Sequence, residues 1–196
     1  VVLDVGANIG AHTLVFADLV GGNGKVYAFE PTSYAVNKLT VNAKLNPSLA
    51  ERVTINQMML LAESTSDLPT VVYSSWQLLD SLDKHPGHFG SMMTTNGAKL
   101  TTIDTYAQMT KLTTINVIKI DVDGYEIDVL NGARNIIERD HPLVVFEFAP
   151  YLLKEHGADP EMLLNYFYDR GYTLYYANSL KKLPRRAEKP TNLVRS

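Results

Sequence analysis

Short apolar runs alternate with segments of helical periodicity along most of this chain. Residues 1–5, 25–29 and 143–148 have the composition of buried strands, and residues 33–45 show the spacing of a helix. Alternation of this kind predicts βαβ units, and therefore an α/β fold with a mostly parallel sheet between two layers of helices. A chain of 196 residues, 45% of them hydrophobic, can form one complete core, so we expect a single domain over 1–196.

The alternation is interrupted between residues 63 and 100. This stretch holds one predicted strand, at 70–73, followed by a polar part that contains Pro86 and three glycines. Irregular segments of this length inside a compact domain are usually functional. We therefore expect segment 63–100 to be an insertion that covers a ligand.

Overall composition excludes several classes of protein. A net charge of −3 and a pI near 5.9 argue against non-specific nucleic-acid binding, which needs a basic surface. The chain has no cysteine, so disulfides and thiolate metal sites are excluded. No apolar run approaches the roughly 20 residues that cross a bilayer. Because the chain begins inside an apolar strand, without Met or a signal-peptide pattern, we expect a trimmed domain of a longer cytoplasmic protein.

The first motif, DVGANIG at 4–10, lies between the first strand and the first helix. The small residues Gly6, Ala7 and Gly10 let the backbone turn sharply and let a ligand approach it closely. Free N–H groups at the start of the helix favour a polar or negative ligand group. The pattern is not the dinucleotide GxGxxG, since Asn8 replaces its second glycine. Asp4 instead can bind the cationic amino group of an amino-acid ligand or order a water beside it.

The second motif is Glu30-Pro31 at the end of the second strand. A carboxylate about 25 residues after the first turn can accept hydrogen bonds from both hydroxyls of a ribose. NAD and S-adenosylmethionine both present such a ribose, so Glu30 indicates a nucleoside ligand without choosing between them. A surface glutamate before a helix is the structural alternative.

The third motif, IKIDVDGYE at 118–126, places three carboxylates at the end of a buried strand. Such a group is costly unless it is solvated, paired or used, and this end of an open sheet faces the ligand crevice. Strand alternation puts Lys119 and Asp121 on the same side. We interpret Asp121 as functional, whereas Asp123 and Glu126 can equally decorate the N-terminus of the next helix.

Taken together and in this order, the motifs resemble the FkbM family of methyltransferases. The resemblance rests on DVGANIG, AFEP at 28–31, Asn42 and Asn46, TTIDTY at 101–106 and IKIDVDGYE, and it covers nearly the whole chain. One departure is Asp123, where the family usually has glutamate. The resemblance implies S-adenosylmethionine as cofactor and O-methylation of a hydroxyl on a sugar or secondary metabolite.

The fold implied by the resemblance is a Rossmann-like, seven-stranded class I methyltransferase sheet, mostly parallel and ending in an antiparallel hairpin. Residues 173–176 and 192–194 match that hairpin. The implied acceptor is a small molecule or glycan, with segment 63–100 on its side of the site, and the oligomeric state stays open. The residues expected to hold the cofactor are Asp4, Gly6, Ala7, Asn8, Gly10, Glu30, Pro31 and Asp121.

Methyl transfer to a hydroxyl needs an aligned acceptor and a group that takes its proton. Asp121 and Glu147 are the predicted catalytic residues, because both should lie at strand ends above the crevice; a paired structural role is the alternative for Glu147. His12, His85 and His88 are other possible bases, although a solvated surface position is the more common role for such residues. No HxH or HExxH spacing occurs, so no metal site is predicted.

Two other functions remain open from the sequence. One is a nicotinamide-dependent oxidoreductase, which the missing second glycine and the position of Asp4 disfavour. The other is a non-catalytic domain that keeps the fold as a scaffold. Retention of Asp4, Gly6, Gly10, Glu30 and Asp121 argues against the scaffold.

Overall fold

The structure is a computed structural model, and it describes residues 1–63, 68–74, 84–85 and 89–185. The elements in chain order are β1 (Val2–Val5), α1 (Ala11–Leu19), β2 (Val26–Phe29), α2 (Ser33–Lys44), α3 (Pro47–Ala50), β3 (Val53–Asn56), β4 (Met58–Leu60), β5 (Val71–Ser74), β6 (Ser91–Thr94), β7 (Lys99–Thr101), α4 (Ile103–Thr110), β8 (Val117–Ile120), α5 (Glu126–Asn131), α6 (Arg134–Asp140), β9 (Leu143–Phe146), α7 (Pro150–Glu155) and α8 (Pro160–Tyr168). None of these described helices is long and apolar enough to span a membrane.

Five parallel strands form the main sheet, in the order β3-β2-β1-β8-β9. Asp4 of β1 lies opposite Ala28 of β2 and Lys119 of β8 in this register. The chain builds outward from β1 through β2 to β3, and then returns to place β8 on the other side of β1. This reversal makes the crevice above β1 and β8 the expected position for a ligand.

Helices cover both faces of the sheet, as the alternating pattern predicted. On one face Ala17 of α1 packs against Val2 and Val26. The other face carries the larger core, in which Leu3 and Ile118 pack with residues of α4, α5, α6 and α8. Every residue of β1 is buried, which is typical of the central strand of a parallel sheet.

The prediction of seven strands was wrong for the described residues, whose main sheet has five. Residues 173–176 form no strand, only one antiparallel bridge between Tyr175 and Lys182. The main-chain bond from the N–H of Leu183 to the carbonyl of Leu174 belongs to the same tight turn. Among the described residues, this stretch pairs across its own turn and not with β9. The predicted partner strand, 192–194, lies outside the described residues.

Segment 63–100 contributes strands to two small sheets beside the main one. β5 and β6 pair antiparallel, and β7 pairs parallel with β4, which follows directly from β3. The predicted strand at 70–73 is found as β5. The sequence analysis did not anticipate β6 and β7, which are only four and three residues long and contain polar residues.

The TTIDTY segment joins two helices through Asp104. The N–H groups of Asn135 and Ile136, at the start of α6, donate to the two carboxylate oxygens of Asp104, each over 3.0 Å. Ala133, at the N-cap of α6, provides no side-chain cap of its own. Asp104 therefore caps α6 from a distant part of the chain, and its charge lies favourably at the positive end of that helix.

We expect Asp104→Ala to lower the free energy of unfolding by about 1–2 kcal/mol, because two N–H groups of α6 lose their acceptor. Urea denaturation followed by circular dichroism measures this change. Asp18→Ala, at an exposed position of α1, is the control and should change stability by no more than about 0.5 kcal/mol. Equal stability of the two variants would contradict the capping role.

Candidate active site

A cavity of about 330 Å³ lies above the carboxyl ends of β1, β2 and β8. Its volume falls in the range of small-molecule sites in proteins. Its walls come from the glycine turn after β1, the residues that follow β2 and β8, strands β4 and β5, and the end of α7. The cavity thus lies where the strand order reverses, and residues of segment 63–100 cover it.

The cavity floor rests on the buried amine of Lys119. Its Nζ donates to the main-chain carbonyl of Gly6 over 2.7 Å and lies 3.2 Å from Oδ1 of Asp4 and 3.4 Å from Oδ2 of Asp121. The hydroxyl of Thr13 donates to the other oxygen of Asp4 over 2.6 Å. Asp4 is completely buried and does not line the cavity. The structure therefore places Asp4 beneath the turn, as the partner of Lys119.

The glycine turn after β1 packs directly on the end of β8. Gly6 has a φ of +75°, and a Cβ at this position would lie 1.8 Å from the carbonyl oxygen of Asp121. Any side chain would separate the turn from β8, so the position requires glycine for both conformation and space. Gly10 precedes α1 and lies against Leu39 of α2. The predicted turn between strand and helix is thus present.

The N–H groups inside the glycine turn have acceptors within the protein. The N–H groups of Gly6 and Ala7 both donate to the carbonyl of Phe29, and that of Gly10 donates to the carbonyl of Ala7. The N–H of Ile9 donates to the side-chain oxygen of Asn8. Because neighbouring groups already accept hydrogen bonds from these donors, the turn can leave room for a ligand but does not donate these N–H groups to it.

Glu30 lies at the end of β2 with a buried side chain that borders the cavity. One carboxylate oxygen accepts from the N–H of Asn8 over 3.0 Å, and the other accepts from both the N–H and the hydroxyl of Thr32. Burial raises the pKa of Glu30, while these hydrogen bonds and the charge of Lys119 act in the opposite direction. A carboxylate has about four acceptor positions. Three protein donors therefore leave about one acceptor position of Glu30 for a ligand hydroxyl.

Asn8 connects the glycine turn to segment 63–100. Its backbone is left-handed, with a φ of 48°, and its side-chain amide lies 3.4 Å from the hydroxyl of Ser74 at the end of β5. Val71, Val72 and Tyr73 of β5 line the cavity beside Ser74. The short strand β5 is therefore the part of segment 63–100 that meets the glycine turn.

An apolar wall completes the cavity on the side of β4. Met58, Met59 and Leu60 line it, and Leu60 also belongs to the main core. The apolar residues of β4 thus serve both as core and as cavity wall. Pro31 borders the cavity between this wall and Glu30.

The two predicted catalytic carboxylates lie close together at the ends of β8 and β9. Asp121 borders the cavity, whereas Glu147 is not among the described residues that line it. Glu147 is an exposed residue, but desolvation of its carboxyl beside the loop after β8 raises its pKa to about 7, and the carboxylates of Asp121, Asp123 and Glu126 add to this shift. The structure therefore brings the pair together but gives only Asp121 a position on the cavity wall.

Glu126 organises the loop that follows β8. Its side chain is buried and accepts from the N–H groups of Val122 and Gly124, over 3.2 and 3.3 Å. Gly124 has a φ of +103°, and a Cβ there would lie 2.5 Å from Cδ2 of His156 and 2.8 Å from the carbonyl oxygen of Leu152. The loop therefore needs a glycine where α7 packs against it.

The sequence analysis missed the contribution of α7. Glu155 and His156, at its end, both line the cavity. Nε2 of His85 lies 2.8 Å from a carboxylate oxygen of Glu155, and the ring of His156 lies 4.1 Å from that of Tyr125. The signal was Pro150 at the first helical position with glycine at 157, a combination that marks the start and end of a helix.

The remaining sequence candidates lie away from the cavity or outside the described residues. His12 is exposed and stacks on Phe16, and it does not line the cavity. The prediction for His88 falls outside the described residues.

We expect Glu147→Gln to flatten the pH dependence of the free energy of unfolding. The pKa of Glu147 is about 7 in the folded protein, against an ordinary value of 4.5. Between these values the folded state holds more protons than the unfolded state, so wild-type stability falls as pH rises. The variant lacks this contribution and should gain stability relative to wild type between about pH 5 and pH 8.

Thermal denaturation across this pH range measures the effect. Glu138→Gln, at an exposed position of α6, is the matched control and should follow the wild-type curve. If the curves of stability against pH are parallel for Glu147→Gln and wild type, the raised pKa does not belong to Glu147.

Comparison with known proteins identifies the family. The model of the methyltransferase FkbM domain matches residues 4–174. The hexuronic acid methyltransferase AglP of Haloferax volcanii is 27% identical over 164 residues, which cover 82% of this chain and 58% of that protein. The crystal structure of methyltransferase FkbM from Methylobacillus flagellatus KT has a TM-score of 0.51 and 18% identity, over 82% of this chain and 37% of that one.

The chain therefore spans less than two thirds of the length of either protein. The structural likeness supports the α/β fold with its mostly parallel sheet. The family match extends from Asp4, under the glycine turn, to Leu174, beyond α8. Because this family model matches residues 4–174, most of the chain, the chain belongs to the FkbM family of methyltransferases.

Proposed function

We propose that this chain is an S-adenosylmethionine-dependent methyltransferase that methylates an oxygen of a small-molecule or glycan acceptor. The observation that carries the proposal is the buried carboxylate of Glu30, which borders a cavity between the glycine turn and the apolar wall of β4. A nucleoside needs such a combination, because its ribose presents hydroxyl donors and its base presents a flat apolar surface.

The residues around the cavity fit the cofactor. Glu30 accepts from a ribose hydroxyl, with Pro31 beside it, and Met58 and Met59 offer an apolar surface to the adenine. Gly6 lets the amino-acid part approach the ends of β1 and β8. Asp121, whose carboxylate is on the cavity wall, is a better partner for the cationic ammonium group than the buried Asp4. Asp4 acts through Lys119, which holds the turn and Asp121 in place.

The cofactor, when bound, supplies a methyl group activated by a positively charged sulfur. The carboxylates near the end of β8 favour such a cation electrostatically. The catalytic roles that the sequence predicted for Asp121 and Glu147 stay predictions. In this proposal Asp121 pairs with the ammonium group of the cofactor, and Glu147, whose carboxyl lies beside Asp121 with a pKa raised to about 7, can hold a proton there.

An acceptor of the sugar type is supported by the relative from Haloferax volcanii, whose name describes a hexuronic acid methyltransferase. None of the described residues that line the cavity is lysine or arginine. Phosphodiester backbones are bound chiefly by such side chains, so the cavity favours an acceptor without phosphate. The absence of a nucleic-acid partner stays a prediction.

We expect S-adenosylhomocysteine, the product form of the cofactor, to raise the melting temperature of the full chain, because a ligand that binds only the folded state stabilises it. Glu30→Ala should weaken binding about 10- to 100-fold, the typical effect of losing a hydrogen bond to a charged group. Isothermal titration calorimetry measures the dissociation constants. Glu30→Gln, which keeps one acceptor oxygen, should weaken binding less.

Glu51→Gln, at an exposed position after α3, is the control and should bind like wild type. NADH should give no stabilisation, whereas stabilisation by NADH alone would favour the oxidoreductase function. Binding of neither ligand to a folded full-length protein would contradict the methyltransferase proposal and favour a scaffold.

A further inference from the structure

Three polar side chains line the cavity near α7, on elements other than those that carry Glu30 and the apolar wall of β4. Glu155 and His156 lie at the end of α7, and His85 of segment 63–100 lines the same region. The ring of His85 lies edge-on to Tyr73 of β5, with a distance of 5.0 Å between ring centres. This side of the cavity is the one left for an acceptor, because the cofactor proposed above uses the turn and the β4 wall.

The position of His156 is fixed by the loop after β8. Its ring packs on Tyr125 at 4.1 Å and occupies the space that a side chain on Gly124 would need. A hydrogen bond to the main chain of Asp123 adds a polar contact. A ring nitrogen that donates to a main-chain carbonyl leaves the lone pair of the neutral ring on the other nitrogen.

The other groups along this wall are acidic. Asp121 and Asp123 lie on the loop after β8, and Glu155 pairs with His85. An acceptor carboxylate would meet these negative charges without a lysine or arginine among the described lining residues. A hydroxyl group carries no charge and meets no such repulsion.

We propose that His156 is the general base of the reaction, and that the acceptor group is therefore a neutral hydroxyl and not a carboxylate. This inference rests on the proposed methyltransferase function. A carboxylic acid has a pKa of about 4 and is already ionised near pH 7, so it needs no base. A hydroxyl keeps its proton until the oxygen attacks and gains from a base within hydrogen-bond reach.

The reaction balances with His156 in this role. The acceptor oxygen forms a bond to the methyl carbon as the carbon–sulfur bond breaks, and the electron pair of that bond stays on sulfur, which becomes a neutral thioether. The O–H bond of the acceptor breaks at the same time, and its proton passes to the ring nitrogen of His156 that carries the lone pair.

The surroundings of His156 keep the ring ready to accept a proton. His156 is an exposed residue, but desolvation of its ring against Tyr125 and Gly124 lowers its pKa and is the largest effect. Proximity of His85 also lowers the pKa, while Glu155, Asp128 and the main chain of Asp123 raise it. The phenol of Tyr125 is the other titratable group packed against the ring. The rate should therefore be constant above neutral pH and fall as pH drops through this lowered pKa.

The test measures methyl transfer from labelled S-adenosylmethionine to two panels of sugars. One panel holds the neutral methyl glycosides of glucose, galactose and mannose, and the other holds the corresponding uronic acids. Alkali treatment distinguishes the products, because methyl esters are hydrolysed and methyl ethers are not. The proteins compared are the full chain, His156→Gln, His156→Phe (which keeps an aromatic ring against Tyr125) and the exposed control His12→Gln.

Calorimetry with S-adenosylhomocysteine on each protein provides a readout that is independent of turnover. We expect alkali-stable methylation of a neutral glycoside, a loss of about 100-fold or more in both His156 variants and unchanged affinity for S-adenosylhomocysteine. His12→Gln should behave like wild type. Added imidazole should restore part of the rate of a His156→Gly variant.

Three results would overturn the inference while leaving the proposed function intact. They are esters as the only products, a rate in both His156 variants within threefold of wild type, and no transfer to any neutral glycoside by a protein that binds S-adenosylhomocysteine. Failure of the wild-type protein to bind S-adenosylhomocysteine would overturn the proposed function itself, and the inference with it.

Discussion

The buried amine of Lys119 is the interaction on which the site depends. It donates to the carbonyls of Val5 and Gly6 and lies between the carboxylates of Asp4 and Asp121. Removing one partner of a buried charge pair usually costs about 3–5 kcal/mol, because the other charge remains without compensation. One side chain of β8 thus fixes the turn after β1 and a carboxylate on the cavity wall, and so sets the floor of the site.

Above this floor, the site joins two halves of the molecule. Glu30 and the β4 wall come from the first half of the sheet, and they supply the surface that suits a nucleoside. The loop after β8 and the end of α7 come from the second half, and they supply Asp121 and His156. Gly124 is the contact between that loop and α7, since only a residue without a side chain leaves room for the ring of His156.

The sequence predicted the parts of the fold that depend on local pattern. The apolar runs gave the main strands and their helices, and DVGANIG gave the turn between β1 and α1. The sequence did not reveal that the N–H groups of that turn donate hydrogen bonds within the protein. Two of them donate to the carbonyl of Phe29, which lies in the next strand. Likewise, the contact of His85 with Glu155 joins residues 70 positions apart, so no local sequence pattern predicts it. The prediction of a seven-stranded sheet was wrong for another reason. It came from the family resemblance, whereas the residues near Tyr175 pair locally in this chain.

The most direct test of this account is a crystal structure of the full-length protein with S-adenosylhomocysteine bound. The account predicts a ribose hydroxyl within hydrogen-bond distance of Glu30, the adenine against Met58 and Met59, and the amino group of the homocysteine near Asp121. The sulfur should face the side of the cavity formed by His156. A ligand bound elsewhere, or one whose ribose lies away from Glu30, would contradict the assignment of this cavity as the site of methyl transfer.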